Sequence, residues 1–217
     1  MSRLGQILIP LWAVVYLPLA WGESAIEGTV RLPASGTEPM TPSRYANVMP
    51  GRVGAPDPPM AVVYLEGNFP AGNSPRVPPA RMEQKHYQFS PGLLPIQAGT
   101  EVVFPNLDDG YHNVFSYSKA RRFDLGRYRK DEKPPVLVFD KPGVVKLYCE
   151  IHQHMRGTIL VLDTPYYVKT DEAGKYRLEH LPPGQFTLKA WLDEAQVWSR
   201  QVDLTNGAVL HVDFTRP

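Results

Sequence analysis

Val144-Val145-Lys146-Leu147-Tyr148-Cys149-Glu150-Ile151-His152-Gln153-His154-Met155-Arg156-Gly157 is the stretch on which the reading of this chain turns. A strand-like apolar run ends in the only cysteine, and two imidazoles and a thioether follow at once. With a side-chain period of two, Val145, Leu147 and Cys149 share one face of that strand and Val144, Lys146 and Tyr148 the other. The thiol therefore points where the aliphatic residues point, into a core. Thr158-Ile159-Leu160-Val161-Leu162 reads as the next strand, which leaves the histidines and the methionine on a tight loop between two strands. A thiolate beside imidazole and thioether donors is the ligand set of a copper electron-transfer centre, with two histidines, one cysteine and a weak axial methionine.

The remaining composition fits an exported all-β protein. Twenty-three prolines and seventeen glycines are spread through 217 residues and cut the chain into short segments, which favours strands and turns over a helical bundle. A formal net charge of +1 gives no global attraction to nucleic acid or to an anionic membrane. Residues 1–22 carry Arg3, an apolar run from Leu4 to Ala20 and the small-x-small sequence Ala20-Trp21-Gly22, the pattern of a cleaved secretory signal. A retained anchor is the alternative, weakened by Gln6, Pro10 and Pro18. Export to the periplasm, with no membrane insertion after cleavage, is the expectation. In an oxidising compartment a single cysteine cannot close an internal disulfide, and metal ligation explains why it is there. A buried cysteine packing as a small hydrophobe is the plain alternative; its neighbours argue against it.

The candidate metal ligands are His112, Cys149, His152 and Met155. Cys-x-x-His-x-x-Met, bracketed by two apolar strands, is fairly specific, whereas an isolated Cys-x-x-His carries little. His154 is the rival of His152, but Met155 beside it would then have to turn sharply to reach the same metal. Asn113 is placed to brace the ligand loops through hydrogen bonds. Arg121, Arg122, Arg127, Arg129 and Lys130 form a basic loop that is either a solvated edge or a docking patch for an acidic redox partner. The remaining histidines, His86, His180 and His211, are too scattered to build a second metal site. Single-electron transfer without substrate turnover is the first functional reading. A copper carrier or sensor holding Cu(I) through Cys149, Met155 and one histidine is the second.

Val103-Phe104-Pro105-Asn106, through Tyr111-His112-Asn113-Val114-Phe115-Ser116, to Gly143 and the run ending Cys149-Glu150-Ile151-His152 resembles the plastocyanin-like cupredoxins. That resemblance implies one type 1 copper ion, with the family's His-Asn pair at His112-Asn113, its Cys-x-x-His at Cys149 and His152, and its axial methionine at Met155. The interval from histidine to methionine is shorter here than in plastocyanins. The chain as a whole resembles the bacterial methylamine utilisation proteins of plastocyanin type, in which a cupredoxin is coupled to a carboxypeptidase regulatory-like module. Thr170-Asp171-Glu172-Ala173-Gly174 and Leu181-Pro182-Pro183-Gly184 carry the second half of that likeness.

The expected organisation is a signal at 1–22, N-terminal strands and Pro-rich loops at 23–79, a cupredoxin Greek-key β-sandwich at 80–162 and a second small β-sandwich, prealbumin or carboxypeptidase-regulatory-like, at 163–217. The strands near Ile26–Leu32 and Ala61–Leu65 are candidates to complete the second sandwich. Arg81–Phe89 alternates as a single strand, and Lys119–Lys133 reads as a loop with a short edge segment.

Overall fold

The structure, a computed structural model, describes residues 24–34, 53–69, 78–205 and 207–215. The expected secretory signal lies outside these residues, as does most of the Pro-rich sequence between the first strands. Among the described residues all regular elements are strands, as the composition predicts, and no helix is long and apolar enough to cross a membrane. In chain order they are β1 (Ser24–Thr29), β2 (Val62–Glu66), β3 (Ala80–Arg81), β4 (Glu83–Lys85), β5 (Gln88–Ser90) and β6 (Leu93–Gln97). They continue with β7 (Thr100–Val103), β8 (His112–Tyr117), β9 (Arg122–Tyr128), β10 (Val136–Phe139), β11 (Gly143–Tyr148) and β12 (Arg156–Leu162). The last are β13 (Tyr167–Lys169), β14 (Lys175–Leu181), β15 (Gly184–Trp191), β16 (Val197–Leu204) and β17 (Val209–His211).

A five-stranded sheet in the order β6-β12-β11-β8-β9 packs against the β10-β7-β3 sheet and the β4–β5 hairpin. Strands distant in sequence lie side by side, as Greek-key connections require. The alternation in β11 has the expected effect: Val145 and Leu147 are fully buried while Lys146 is exposed. Opposite them on β12, Val145 pairs with Ile159 and Leu147 with Gly157. Each such aliphatic side chain contributes about 1.5–3 kcal/mol by leaving water. The strand that ends at the cysteine is thus anchored through one face.

β1 lies between β14 and β17, and β2 between β13 and β15, so both N-terminal strands pair with C-terminal ones. Ile26, Leu65, Leu188 and Phe214 are buried between these two sheets. Gly174 in the Thr-Asp-x-x-Gly turn has φ +80°, and a Cβ there would sit 2.1 Å from the Val30 carbonyl oxygen. Only glycine satisfies both conditions. A third cluster joins the outer face of the five-stranded sheet, through Leu160 and Leu162, to Val62 and Trp191 of β2 and β15.

Two segments differ from the sequence pattern. Arg81–Phe89 is not one strand: β4 turns back into β5 at His86 and Tyr87, whose φ values are +53° and +56°. That turn lacks glycine or asparagine, and a side chain distant in sequence holds it, as described below. The Lys119–Lys133 segment contains a seven-residue edge strand, β9, hydrogen-bonded to β8. Its mixed charges hide the pairing because an edge strand buries little.

Candidate metal centre

His112 opens β8 and is fully buried; Cys149 stands immediately after β11 with 3% of its surface exposed. The loop from Cys149 to Met155 joins β11 to β12, whose last pair is Tyr148 with Arg156. Within it the Met155 N–H donates to the His152 carbonyl at 2.9 Å, closing a turn. His152 is therefore carried over the end of the sheet and the chain drops back into the core at Met155, which is fully buried in the same cluster as Cys149.

His112, Cys149 and His152 form a group with metal-ligand spacing. The Cys149 Sγ lies 4.0 Å from the His112 Nδ1 and 3.8 Å from the His152 Nδ1, and the two Nδ1 atoms are 3.0 Å apart. Metal–nitrogen bonds of about 2.0–2.1 Å and a metal–sulfur bond of about 2.3 Å, as for a comparable divalent ion, give edges of about 3.5 and 3.8 Å in a planar trio. The observed triangle fits after a slight opening of the two rings. His154 stays outside the trio. Its ring is 6.2 Å from that of His152, and its Nε2 lies 3.0 Å from the Tyr87 carbonyl oxygen.

Electrostatics prepare the trio. Burial would raise the Cys149 thiol, but hydrogen bonds from His112, His152 and the backbone outweigh it and bring it down to about 5. Burial would lower His112, yet its bonds to Asp108 and Cys149 hold it above the ordinary histidine value. Burial raises the Asp108 carboxyl less than hydrogen bonds from His112 and from the Tyr87 and His86 amides lower it, so it remains ionised. Burial lowers His154. A metal ion that enters such a site takes the place of the protons its ligand atoms hold.

Asn113 braces the loop as its position suggests. Its Oδ1 accepts the Glu150 N–H at 2.8 Å and its Nδ2 donates to the Asp124 Oδ1 at 2.9 Å, tying the ligand loop to β8 and β9. Two contributors are absent from the sequence reading. Asp108 places Oδ2 2.9 Å from the His112 Nε2. Tyr87 sets its ring edge-on to both ligand rings, at centroid distances of 5.4 Å from His112 and 5.0 Å from His152. Asp108 had a signal in the sequence, a carboxylate four residues before a candidate ligand. Tyr87 had none, because a fold-dependent turn delivers it. His152 lines a shallow hollow with Tyr87, Tyr111 and Ile151 and is the ligand candidate nearest the surface.

Solved structures similar to part of the chain bear copper-protein names. A Cu-containing nitrite reductase from Thermus scotoductus SA-01 is 27% identical over 40% of this chain and 23% of that one, with a TM-score of 0.38. A purple cupredoxin from Nitrosopumilus maritimus is 25% identical over 38% of this chain and 99% of its own, with a TM-score of 0.34. An oxidised amicyanin variant is 20% identical over 38% of this chain and 81% of its own, with a TM-score of 0.36. The chain thus spans about a quarter of the nitrite reductase and most or all of the two small proteins. No protein-family model matches the chain, and no curated protein matches it.

Proposed function

We propose that the chain is an exported type 1 copper protein that carries single electrons between protein partners and turns over no substrate. The observation that carries this reading is the buried triangle of His112 Nδ1, His152 Nδ1 and Cys149 Sγ, with edges of 3.0, 3.8 and 4.0 Å. The fully buried Met155 on the same loop supplies the thioether that a soft, redox-active ion prefers. Copper, when bound, supplies a one-electron couple; the chain supplies the rest. Cys149 offers a ready thiolate, Asp108 holds the His112 proton on Nε2, and Met155 completes a donor set acceptable to both oxidation states. The His152 ring is the shortest way out of the core. Burial of Cys149 and Met155 favours a shuttle over a carrier, since ligand exchange with a client protein needs open donors.

Secretion through residues 1–22 and periplasmic residence belong to this proposal, as does docking of an acidic partner near Arg121–Lys130. Within that loop Arg127 faces Glu150, Arg129 faces Asp131 and Lys130 faces Asp109, so Arg121 and Arg122 carry more of the unneutralised charge. Such rim charges set association rates and their salt dependence more than affinity.

The test is the optical and paramagnetic-resonance spectrum of the copper-loaded mature protein. An intense visible thiolate-to-copper band is expected in the parent and absent in Cys149→Ser. A band that survives in the serine variant removes the assignment.

A further inference from the structure

One carboxylate joins the metal trio to the turn that covers it. The Asp108 Oδ2 lies 2.9 Å from the His112 Nε2 and also accepts the Tyr87 N–H at 2.9 Å, while its Oδ1 accepts the His86 N–H at 2.8 Å. The turn so held has both central residues at positive φ, +53° and +56°, a conformation that non-glycine residues adopt only at a cost. It carries Tyr87, whose ring stands edge-on to the His112 and His152 rings. Asp108 itself sits in the Pro105–Gly110 connection that delivers the chain to His112, where its own N–H is held by the Asn106 Oδ1 at 2.9 Å. The carboxylate is thus fixed from behind and engaged on both oxygens in front.

We propose that Asp108 is the positioning residue of the metal centre: it fixes the tautomer and ring orientation of His112, biases the site toward Cu(II), and clamps the Tyr87 turn over the ligands. This rests on the copper reading above. The first part follows from the inventory of donors. A carboxylate can only accept, so the His112 Nε2 must carry the proton and the Nδ1 turns its lone pair toward Cys149 and His152. Without Asp108 the competing tautomer places a proton on Nδ1, where the metal belongs. The second part follows from charge. A carboxylate bonded to a ligating imidazole raises its basicity and stabilises the higher metal charge more than the lower one, and this occurs beside a fully buried ring where screening is weak. The third part is geometric, because removing the acceptor frees two amides whose residues hold an unfavourable backbone conformation only while bonded.

Asp108→Asn keeps the shape and removes the charge and one acceptor; Asp108→Glu keeps the charge at a displaced position. In the full chain loaded with copper, Asp108→Asn is expected to weaken Cu(II) binding by about 10- to 100-fold, measured by chelator competition. Cu(I) binding is expected to change less, so the reduction potential rises by about 59 mV for each tenfold difference between the two states. Asp108→Glu is expected to recover most of the potential. Equal potentials in parent and Asp108→Asn overturn the proposal, as do equal shifts in the Asn and Glu variants, which mark a merely structural role. Should Asp108→Asn not fold, nitrogen NMR of the metal-free parent, at a pH high enough to leave His112 neutral, decides the tautomer. A proton on Nε2 is expected, and one on Nδ1 overturns the proposal. A parent chain that shows no thiolate-to-copper band overturns the copper reading instead, and the metal-free tautomer measurement separates the two failures.

Discussion

The Nδ1 atoms of His112 and His152 lie 3.0 Å apart, although the two residues are forty positions apart in the chain. Two lone pairs at that distance repel unless a proton or a metal ion lies between them. The pair exists because β8 and β11 are neighbours in one sheet, with Tyr148 opposite Phe115, and because Asn113 ties the next residue of β8 to the loop after Cys149. A loop with a slightly different exit angle would separate the rings and leave an ordinary buried histidine.

The first prediction separates the two histidines of the ligand loop. His152→Ala is expected to lose the visible copper band and to bind Cu(II) at least tenfold more weakly, whereas His154→Ala keeps the band. Copper titrations followed by visible absorption and paramagnetic resonance make the comparison. The opposite result would transfer the ligand role to His154.

A pH profile follows from the coupled groups of the metal-free protein. The thiol of an unfolded chain titrates near about 8.5, and that of folded Cys149 at about 5. Its stabilisation is therefore complete above the unfolded value and is lost as pH falls through the folded one. His112 acts in the opposite sense: held above the ordinary value of about 6.5, it stabilises below that pH and its contribution is lost as pH rises through its own folded value. The urea midpoint of the metal-free protein should climb from about pH 5 to about pH 6.5 and then level while the two slopes oppose each other. Cys149→Ser should flatten the climb, and an equally steep climb in that variant would contradict the assignment of the thiolate.

Asn113→Ala removes an acceptor from the Glu150 amide and a donor from Asp124. The expected loss is about 1–3 kcal/mol of unfolding free energy. Because the freed amide lies beside Cys149, copper should also leave faster, as stopped-flow chelator capture would record. A drop in stability with an unchanged release rate would confine Asn113 to scaffolding.

The strand ending at Cys149 and the trio of donor types were legible because they are local: period-two alternation in Val145-Lys146-Leu147 and tight spacing on one loop. What the sequence concealed is carried by side chains that act at long range. The alternation of Arg81–Phe89 looks continuous, yet the chain reverses at His86-Tyr87 because Asp108, some twenty residues further on, accepts both amides. Asp108 itself looked like turn chemistry, since Asp108-Asp109-Gly110 is a common loop composition. β9 was legible only in part, as a short edge segment: Phe123 and Leu125 alternate and pack on the core, while the charged residues beside them, Arg122 and Arg127 among them, extend the strand without an apolar signal.

Gly157 tests how tightly the floor of the site is packed. It pairs with Leu147 on β11, and an added Cβ would come within 3.0 Å of the Phe89 Cβ. Gly157→Ala should cost about 1–3 kcal/mol through overpacking. It should also disturb the copper spectrum through Met155, two positions away, whereas Gly126→Ala, where a Cβ would meet open space, should alter stability only through its backbone strain at φ +69°. Thermal unfolding of the metal-free and loaded forms measures both. An unchanged spectrum in Gly157→Ala would show that β12 can yield without moving the methionine.

β2 and β13 are hydrogen-bonded neighbours, with Tyr64 opposite Tyr167 and the Leu65 amide bonded to the Tyr166 carbonyl. Every strand from β3 to β12 lies between them in the chain, so the polypeptide leaves one sheet and comes back to it at adjacent points, as a traveller uses a single doorway. The residues of the metal trio all lie beyond that doorway. A short hairpin joining Glu66 to Tyr167 would leave the hydrogen-bond ladders of the four-stranded sheet uninterrupted, so the strands that carry His112, Cys149 and His152 form an insertion seated on its frame through Leu160 and Leu162 against Val62 and Trp191.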